Sequence, residues 1–245
     1  GAFISSKDTE VEVIPGVELS VIFGDLHFHL LGYLFDHQDK ELNEKLHILQ
    51  NAREQRNREI VKKLNSMGID ITVEEIKEIS QTGQTGRPHI AKALCQKGIV
   101  QNFDEAFDRY LKKGALAYVS RFVFNAVEAI EMLKKAGGLT VLAHPAQLAA
   151  SFAEKQALIG RLVDVGLDGL EIYYPTHTPK IRKSLKKIAK KYDMLISGGS
   201  DYHGNVRPGT GLAGNGNVFV PPELLDQMRV RCKTHKVVSL NTTHN

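Results

Sequence analysis

From Leu139 onward the chain alternates, with little spacer, between short apolar runs and longer amphipathic stretches. Residues 139–143, 169–173 and 195–197 have the apolar continuity of strands buried on both faces. Residues 125–136, 154–165 and 179–191 carry the helical period instead, and Gly137-Gly138 closes the first of them. Regular alternation of this kind restricts the fold to α/β architectures built on a mostly parallel sheet, open or closed into a barrel. Such sheets gather their chemistry at the C-terminal ends of the strands.

Upstream, residues 11–33 read as strands broken by Pro15-Gly16 and by Gly24-Asp25, the second break marking a hairpin. The character then changes. Residues 40–65, 73–79, 88–96 and 103–112 are helical in pattern with almost no strand signal between them, and a short strand is expected at 117–119. We read 38–114 as a helical insertion subdomain, too long for a connection. Segments 1–37 and 115–245 then form the α/β body.

The 245 residues include 42% hydrophobic and 24% charged residues, the balance of a soluble globular protein. No apolar run approaches the roughly 18 residues of a membrane helix, so a cytoplasmic location without a membrane partner is expected. Cys95 and Cys232 form no CxxC pair, which argues against a thiolate zinc site and leaves His, Asp and Glu to hold any metal. The net charge of +4 leans toward anionic ligands but is too small to imply nucleic-acid binding by itself. Lys180, Arg182, Lys183, Lys186, Lys187, Lys190 and Lys191 read as the solvated face of a helix whose apolar stripe is Ile181, Leu185, Ile188 and Ala189.

The strand ends carry the informative polar residues. Gly198-Gly199-Ser200-Asp201-Tyr202-His203-Gly204 follows an apolar strand, and alternation would place Asp201 and His203 on one face. Glu18 follows Pro15-Gly16, His29 sits in HFHLLGY, His144 in VLAHP and Glu171 in DGLEIYY. Carboxylates and imidazoles without cysteine suit zinc, manganese or iron. Each residue also has a plainer reading. His27 and His29 share a face, and His29 is favoured; His144 is a ligand or a hydrogen-bonded core histidine; Glu171 is a site residue or the partner of a lysine. Gly86-Arg87-Pro88-His89 opens a helix whose free N–H groups, with Arg87 and His89, could cradle a phosphate. Lys113, Tyr118 and Arg121, and Tyr174 with His177 in YYPTHTP, add candidate substrate contacts.

Together IPGVELS, HLLGYLFD, GRPHIAKAL, AFDRYLKKGALAYV, GGLTVLAHP, DGLEIYYPTHTP and GSDYHG resemble the PHP (polymerase and histidinol phosphatase) metal-dependent phosphoesterases. They stand in order over nearly the whole chain, and the branch they are most similar to contains nucleotide and nucleoside bisphosphate phosphatases. The resemblance implies a distorted (β/α)7 barrel with a helical insertion, two or three divalent ions (Mn, Zn or Fe), and hydrolysis of a nucleotide-like phosphomonoester by metal-activated water. It implies Glu18, His29, His144, Asp201 and His203 as metal ligands, and Arg87, His89 and His177 on the substrate side. A small phosphorylated substrate is the expected partner, with short RNA cut from its 5′ end as the alternative. Family members also carry a His-x-His pair, a Ser-Asp-Gly segment and an Asp-His pair upstream of the PGxE motif. None stands before Val11, so the barrel reads as N-terminally incomplete, and an inactive fragment or interaction module is a further alternative.

Overall fold

The computed structural model of the protein describes residues 2–80, 85–202, 211–212 and 218–242. The chain divides into two compact units, one formed by residues 1–43 with 124–245 and the other by residues 44–123. In chain order the elements are α1 (Ala2–Ser5), β1 (Gly16–Phe23), β2 (Leu26–Tyr33), α2 (Lys40–Ser66), α3 (Val73–Ile79), α4 (Arg87–Gln96) and α5 (Phe103–Ala106). There follow β3 (Phe124–Asn125), α6 (Ala126–Lys135), β4 (Leu139–Leu142), α7 (Phe152–Asp164), β5 (Gly169–Tyr173), α8 (Pro179–Lys191), β6 (Leu195–Gly198) and α9 (Glu223–Thr242). Among the described residues no helix is long and apolar enough to cross a membrane.

The first unit is built on a six-stranded sheet in the order β3-β1-β2-β4-β5-β6. Gly24, at φ +60°, turns β1 into β2 as the expected hairpin, and the two strands pair antiparallel with Glu18 opposite Leu31 and Ser20 opposite His29. The pairing of β2 with β4 is antiparallel too, whereas β1 with β3, β4 with β5, and β5 with β6 are parallel. The sheet is therefore mixed, because the N-terminal hairpin is inserted into an otherwise parallel order.

Strand alternation decides which residues the hairpin buries. Leu19, Val21, Phe28 and Leu30 are buried and share a face with Gly32. Leu133 of α6 lies so close to Gly32 that an added Cβ would sit 2.6 Å from its Cδ2, so α6 covers this face. Glu18 and His29 project from the other. The same face of β4 and β6 contributes Leu139, Val141 and Leu195 to a core shared with Met228 and Cys232 of α9. Helices α7 and α8 start at side-chain caps, Ser151 with Glu154 as a capping box and Thr178 ahead of Pro179, each worth about 1 kcal/mol.

The second unit is helical and has its own core, in which Ile60 and Leu64 of α2, Ile76 of α3, and Ile90 and Leu94 of α4 are buried with Tyr110 and Leu111.

Four details differ from the sequence expectations. Residues 117–119 form no strand: Ala117 packs into the helical core, and the strand that pairs with β1 is Phe124–Asn125. The expected helix over 103–112 divides into α5 and one π-helical turn at Phe107–Leu111. The first strand begins at Gly16, not at Val11, since Pro15 interrupts the extended stretch. Helix α9 was not anticipated; among its described side chains, Met228 and Cys232 reach the core.

Candidate metal centre

Four neighbouring strands bring the polar residues together. Glu18 and His29 stand on one face of the β1–β2 hairpin, diagonal to each other across the ladder, and His29 Nδ1 lies 2.7 Å from Glu18 Oε1. Ala143, just past β4, donates its N–H to the His29 carbonyl at 3.0 Å and so carries His144 to the same place. His144 Nε2 then lies 3.3 Å from Glu18 Oε1 and 3.1 Å from His29 Nδ1. His29 is thus the histidine of its strand that meets Glu18. It sits on an antiparallel strand, so the rule of parallel-strand ends did not place it.

This donor set fits a divalent cation. Four-coordinate zinc with ligands at about 2.0–2.1 Å holds them roughly 3.3 Å apart, close to the spacings here. Without a cation, His29 Nδ1 and His144 Nε2 can both donate to one carboxylate oxygen only by pointing two N–H groups into the same small space. The trio converges within 4.8 Å and remains accessible, with side-chain exposures of 34% for Glu18 and 36% for His29. The bonds from His144 and His29 hold the Glu18 carboxyl far below the usual carboxylate range, against its burial. Burial pulls His144 down, but Glu18 together with the charges of Glu171 and Asp201 raises it overall.

The surroundings fix His144. It adopts φ 28°, ψ 57°, a strained conformation for a side-chain-bearing residue, at the start of the short turn Pro145–Gln147. Its backbone N–H donates to Glu171 Oε2 at 2.7 Å. Glu171, which the sequence left between a site role and a lysine partner, is buried here and pushed up to about 7, chiefly by desolvation. It holds the backbone of His144.

Asp201 lies beyond β6, not within it, and has φ 51°. Strand alternation therefore does not apply at Asp201. Tyr174, almost fully buried, donates its hydroxyl to Asp201 Oδ2 at 2.9 Å and accepts from Gln147 Nε2 at 2.9 Å. Its ring also contacts those of His144 and His177. The sequence raised Tyr174 only as a substrate contact and missed Gln147, whose motif carries no signal. His203 lies outside the described residues. At Gly198, near Asp201, an added Cβ would meet the Tyr173 carbonyl oxygen at 2.5 Å. This glycine permits close strand packing.

His177 is buried, and the Ile172 carbonyl accepts from its Nδ1 at 3.0 Å. That tautomer leaves Nε2 an acceptor, and among the described residues it has no partner. Burial, and then the charge of Arg182, lowers the basicity of the ring.

In the helical unit, Arg87 and His89 occupy the first turn of α4, with Gly86 as N-cap and Pro88 in the turn. Arg87 donates to the Leu111 carbonyl at 3.0 Å and rests over the Phe107 ring, so the π-helical turn holds it in place. His89 is made less basic by burial, and its Nδ1 is buried without a partner among the described residues. Arg53, Arg56, Arg87 and Arg121 form a cluster: burial first, and then Arg87, Arg53 and Arg121, bring Arg56 down to about 10. Arg121 is lowered too, by burial and then by the charges of Arg87 and Arg53. Arg56, on α2, keeps a buried Nε without a partner among the described residues.

No family model matches the chain. It is 33% identical over 202 residues to the 5′-3′ exoribonuclease of Haemophilus influenzae, an alignment covering 82% of this chain and 73% of that protein. It is 26% identical over 202 residues to the 3′,5′-nucleoside bisphosphate phosphatase of Chromobacterium violaceum, covering 82% and 70%. A solved structure from Bifidobacterium adolescentis, assigned to the metal-dependent phosphoesterases, superposes with a TM-score of 0.80 at 27% identity over 94% of this chain and 80% of that one. With a carboxylate–imidazole centre on a sheet of matching fold and a relative so similar over most of both lengths, the chain belongs to the PHP-type metal-dependent phosphoesterases, hydrolases of phosphoric ester bonds.

Proposed function

We propose that the chain hydrolyses a phosphomonoester of a nucleotide-like substrate, of the AMP or 3′,5′-nucleoside bisphosphate type. The observation that carries this reading is the convergence of Glu18, His29 and His144 on one small space beside Asp201. These four residues would hold divalent metal, with His203 assigned by its motif alone, and manganese, zinc or iron suits the donors. A bound ion supplies Lewis-acid polarisation of phosphoryl oxygens and lowers the pKa of water. The protein's part is geometric. Glu171 fixes the His144 backbone, and Tyr174 orients Asp201 through its hydroxyl.

Arg87 and His89 are proposed to bind phosphate oxygens. Support comes from the clustering of Arg87 with Arg53, Arg56 and Arg121, since burial and the charges of Arg87 and Arg53 lower both Arg56 and Arg121, and an anion among them offsets that repulsion. His177, neutral and with Nε2 as an acceptor, is proposed to receive a substrate hydroxyl or water proton in a hydrogen bond. A second reading, removal of nucleotides from the 5′ end of short RNA, uses the same chemistry; it is favoured by the exoribonuclease of Haemophilus influenzae.

The test is phosphate release from 5′-AMP, 3′,5′-bisphosphate nucleotides and a 5′-phosphorylated RNA oligomer by the full chain with Mn2+, alongside metal analysis of Glu18→Ala. Release from a nucleotide, lost together with bound metal in the variant, supports the reading. Release from none of these substrates, or full activity and metal content in Glu18→Ala, overturns it.

A further inference from the structure

Helix α8 carries seven basic residues, Lys180, Arg182, Lys183, Lys186, Lys187, Lys190 and Lys191, and no acidic one among its 13 residues. Its apolar stripe is spent inside the fold, where Leu185, Ile188 and Ala189 are buried. Among the described residues none of the seven cations makes an ion pair with a carboxylate, although surface lysines elsewhere do, as Lys97 does with Glu75 and Lys112 with Asp108. A solvated helix face ordinarily interleaves both signs; this one leaves its charge uncompensated.

The face also has shape. Tyr173, Pro179, Arg182, Lys183, Lys186, Lys187 and Lys190 line an open groove of about 580 Å3. In it the Tyr173 ring lies beneath Arg182 and Lys186, and the Tyr173 hydroxyl accepts from Lys186 Nζ at 3.0 Å. The groove starts at the end of β5, the strand that carries Glu171, and α8 begins two residues after His177. A 13-residue helix is about 20 Å long, enough for several consecutive phosphates.

We propose that this groove binds the phosphodiester backbone of a single-stranded polynucleotide, holding the part of the chain beyond the nucleotide that is cleaved. A run of lysines on one side of an extended groove with an aromatic ring matches sequence-tolerant recognition of backbone charge. A membrane surface is the poorer fit, because the apolar side chains a bilayer would receive are already buried in the protein. The consequence for catalysis rests on the second reading above, removal of nucleotides from the 5′ end of RNA, but the binding step does not.

The test therefore separates the two. Binding of a fluorescent 12-nucleotide single-stranded RNA to the full chain is followed by anisotropy in EDTA between 50 and 200 mM salt. Wild type is compared with Lys183→Gln/Lys187→Gln/Lys190→Gln, three exposed lysines, and with Lys7→Gln/Lys40→Gln/Lys77→Gln, which removes the same charge elsewhere. At about −0.7 in slope per phosphate contact, the α8 variant should flatten the plot of log affinity against log salt by roughly 2 and bind about tenfold or more weakly at 50 mM. The control should keep the wild-type slope. AMP hydrolysis with Mn2+ should be the same in all three proteins.

Equal slopes in wild type and the α8 variant, or an equal loss in the control, overturn the proposal. So does an α8 variant that loses only its binding to anionic phosphatidylserine vesicles. A wild type that binds RNA through α8 yet hydrolyses no phosphate ester would leave the surface standing and refute the enzymatic reading.

Discussion

Glu171 should make the metal-free protein less stable as pH rises through the weakly acidic range. Its carboxyl is buried and accepts one strong bond, from the His144 N–H, and burial pushes it from 4.5 up to about 7. The folded state therefore binds this proton more tightly than the unfolded chain does. The stabilisation is fully present below pH 4.5 and is lost as pH rises toward 7. At 1.36 kcal/mol per unit, the loss is roughly 3 kcal/mol, of which about 2 falls below pH 6. Glu18 works in the opposite sense in a different window: its depressed pKa gives stability present above 4.5 and lost as pH falls. His144, raised overall, loses its contribution only above about 6.5, whereas His89 and His177, lowered by burial, add stability as pH rises toward 6.5, so the comparison with Glu171→Gln is what isolates Glu171. The assay is urea unfolding of the EDTA-treated full chain at pH 4.5, 5.5, 6.5 and 7.5, for wild type and Glu171→Gln. The stability difference between them should shift by roughly 3 kcal/mol in favour of the variant across this range. A difference constant to within about 0.5 kcal/mol would refute the reasoning, since it would mean that the carboxyl titrates alike in both states.

Gly32→Ala should cost about 1–3 kcal/mol in urea unfolding, because its Cβ would press on Leu133 at 2.6 Å and on Val17 at 3.1 Å. Gly198→Ala should cost more in the same measurement: the obstruction there is the Tyr173 carbonyl at 2.5 Å, and backbone cannot move aside as the end of a leucine can. Tyr174→Phe should weaken metal affinity about 10–100-fold in a competitive chelator titration while leaving the far-ultraviolet circular dichroism unchanged, because Asp201 loses the hydroxyl that orients it. Arg56→Met should leave the helical unit at least as stable, since it removes a half-buried charge surrounded by like charges; a drop in its unfolding midpoint would show that the cluster is not repulsive.

What the sequence made legible follows the range of the forces involved. Helix α8 and strand β5 fall on the expected residues because apolar periodicity is a local signal, satisfied within one element. The position of β2 between β1 and β4 is not local. It depends on a two-residue turn at Gly24-Asp25 and on which sheet edge the hairpin joins, and that choice brings His29 to Glu18. The same distinction runs through the centre. The ligand-type residues Glu18, His29 and His144 could be picked out because imidazole and carboxylate are scarce at apolar strand ends. The groups that aim them could not. Gln147 looks like any turn glutamine until Tyr174 is above it, and Glu171 looks like half of an ion pair until its partner proves to be a backbone N–H. Even the Asp201 segment, legible as a motif, conceals its geometry: Asp201 has a left-handed backbone and is held by Tyr174. Residue type thus identifies what can bind a metal, whereas the spacing of about 3 Å that would let three such residues bind the same one arises from strand register and from buried hydrogen bonds among residues far apart in sequence.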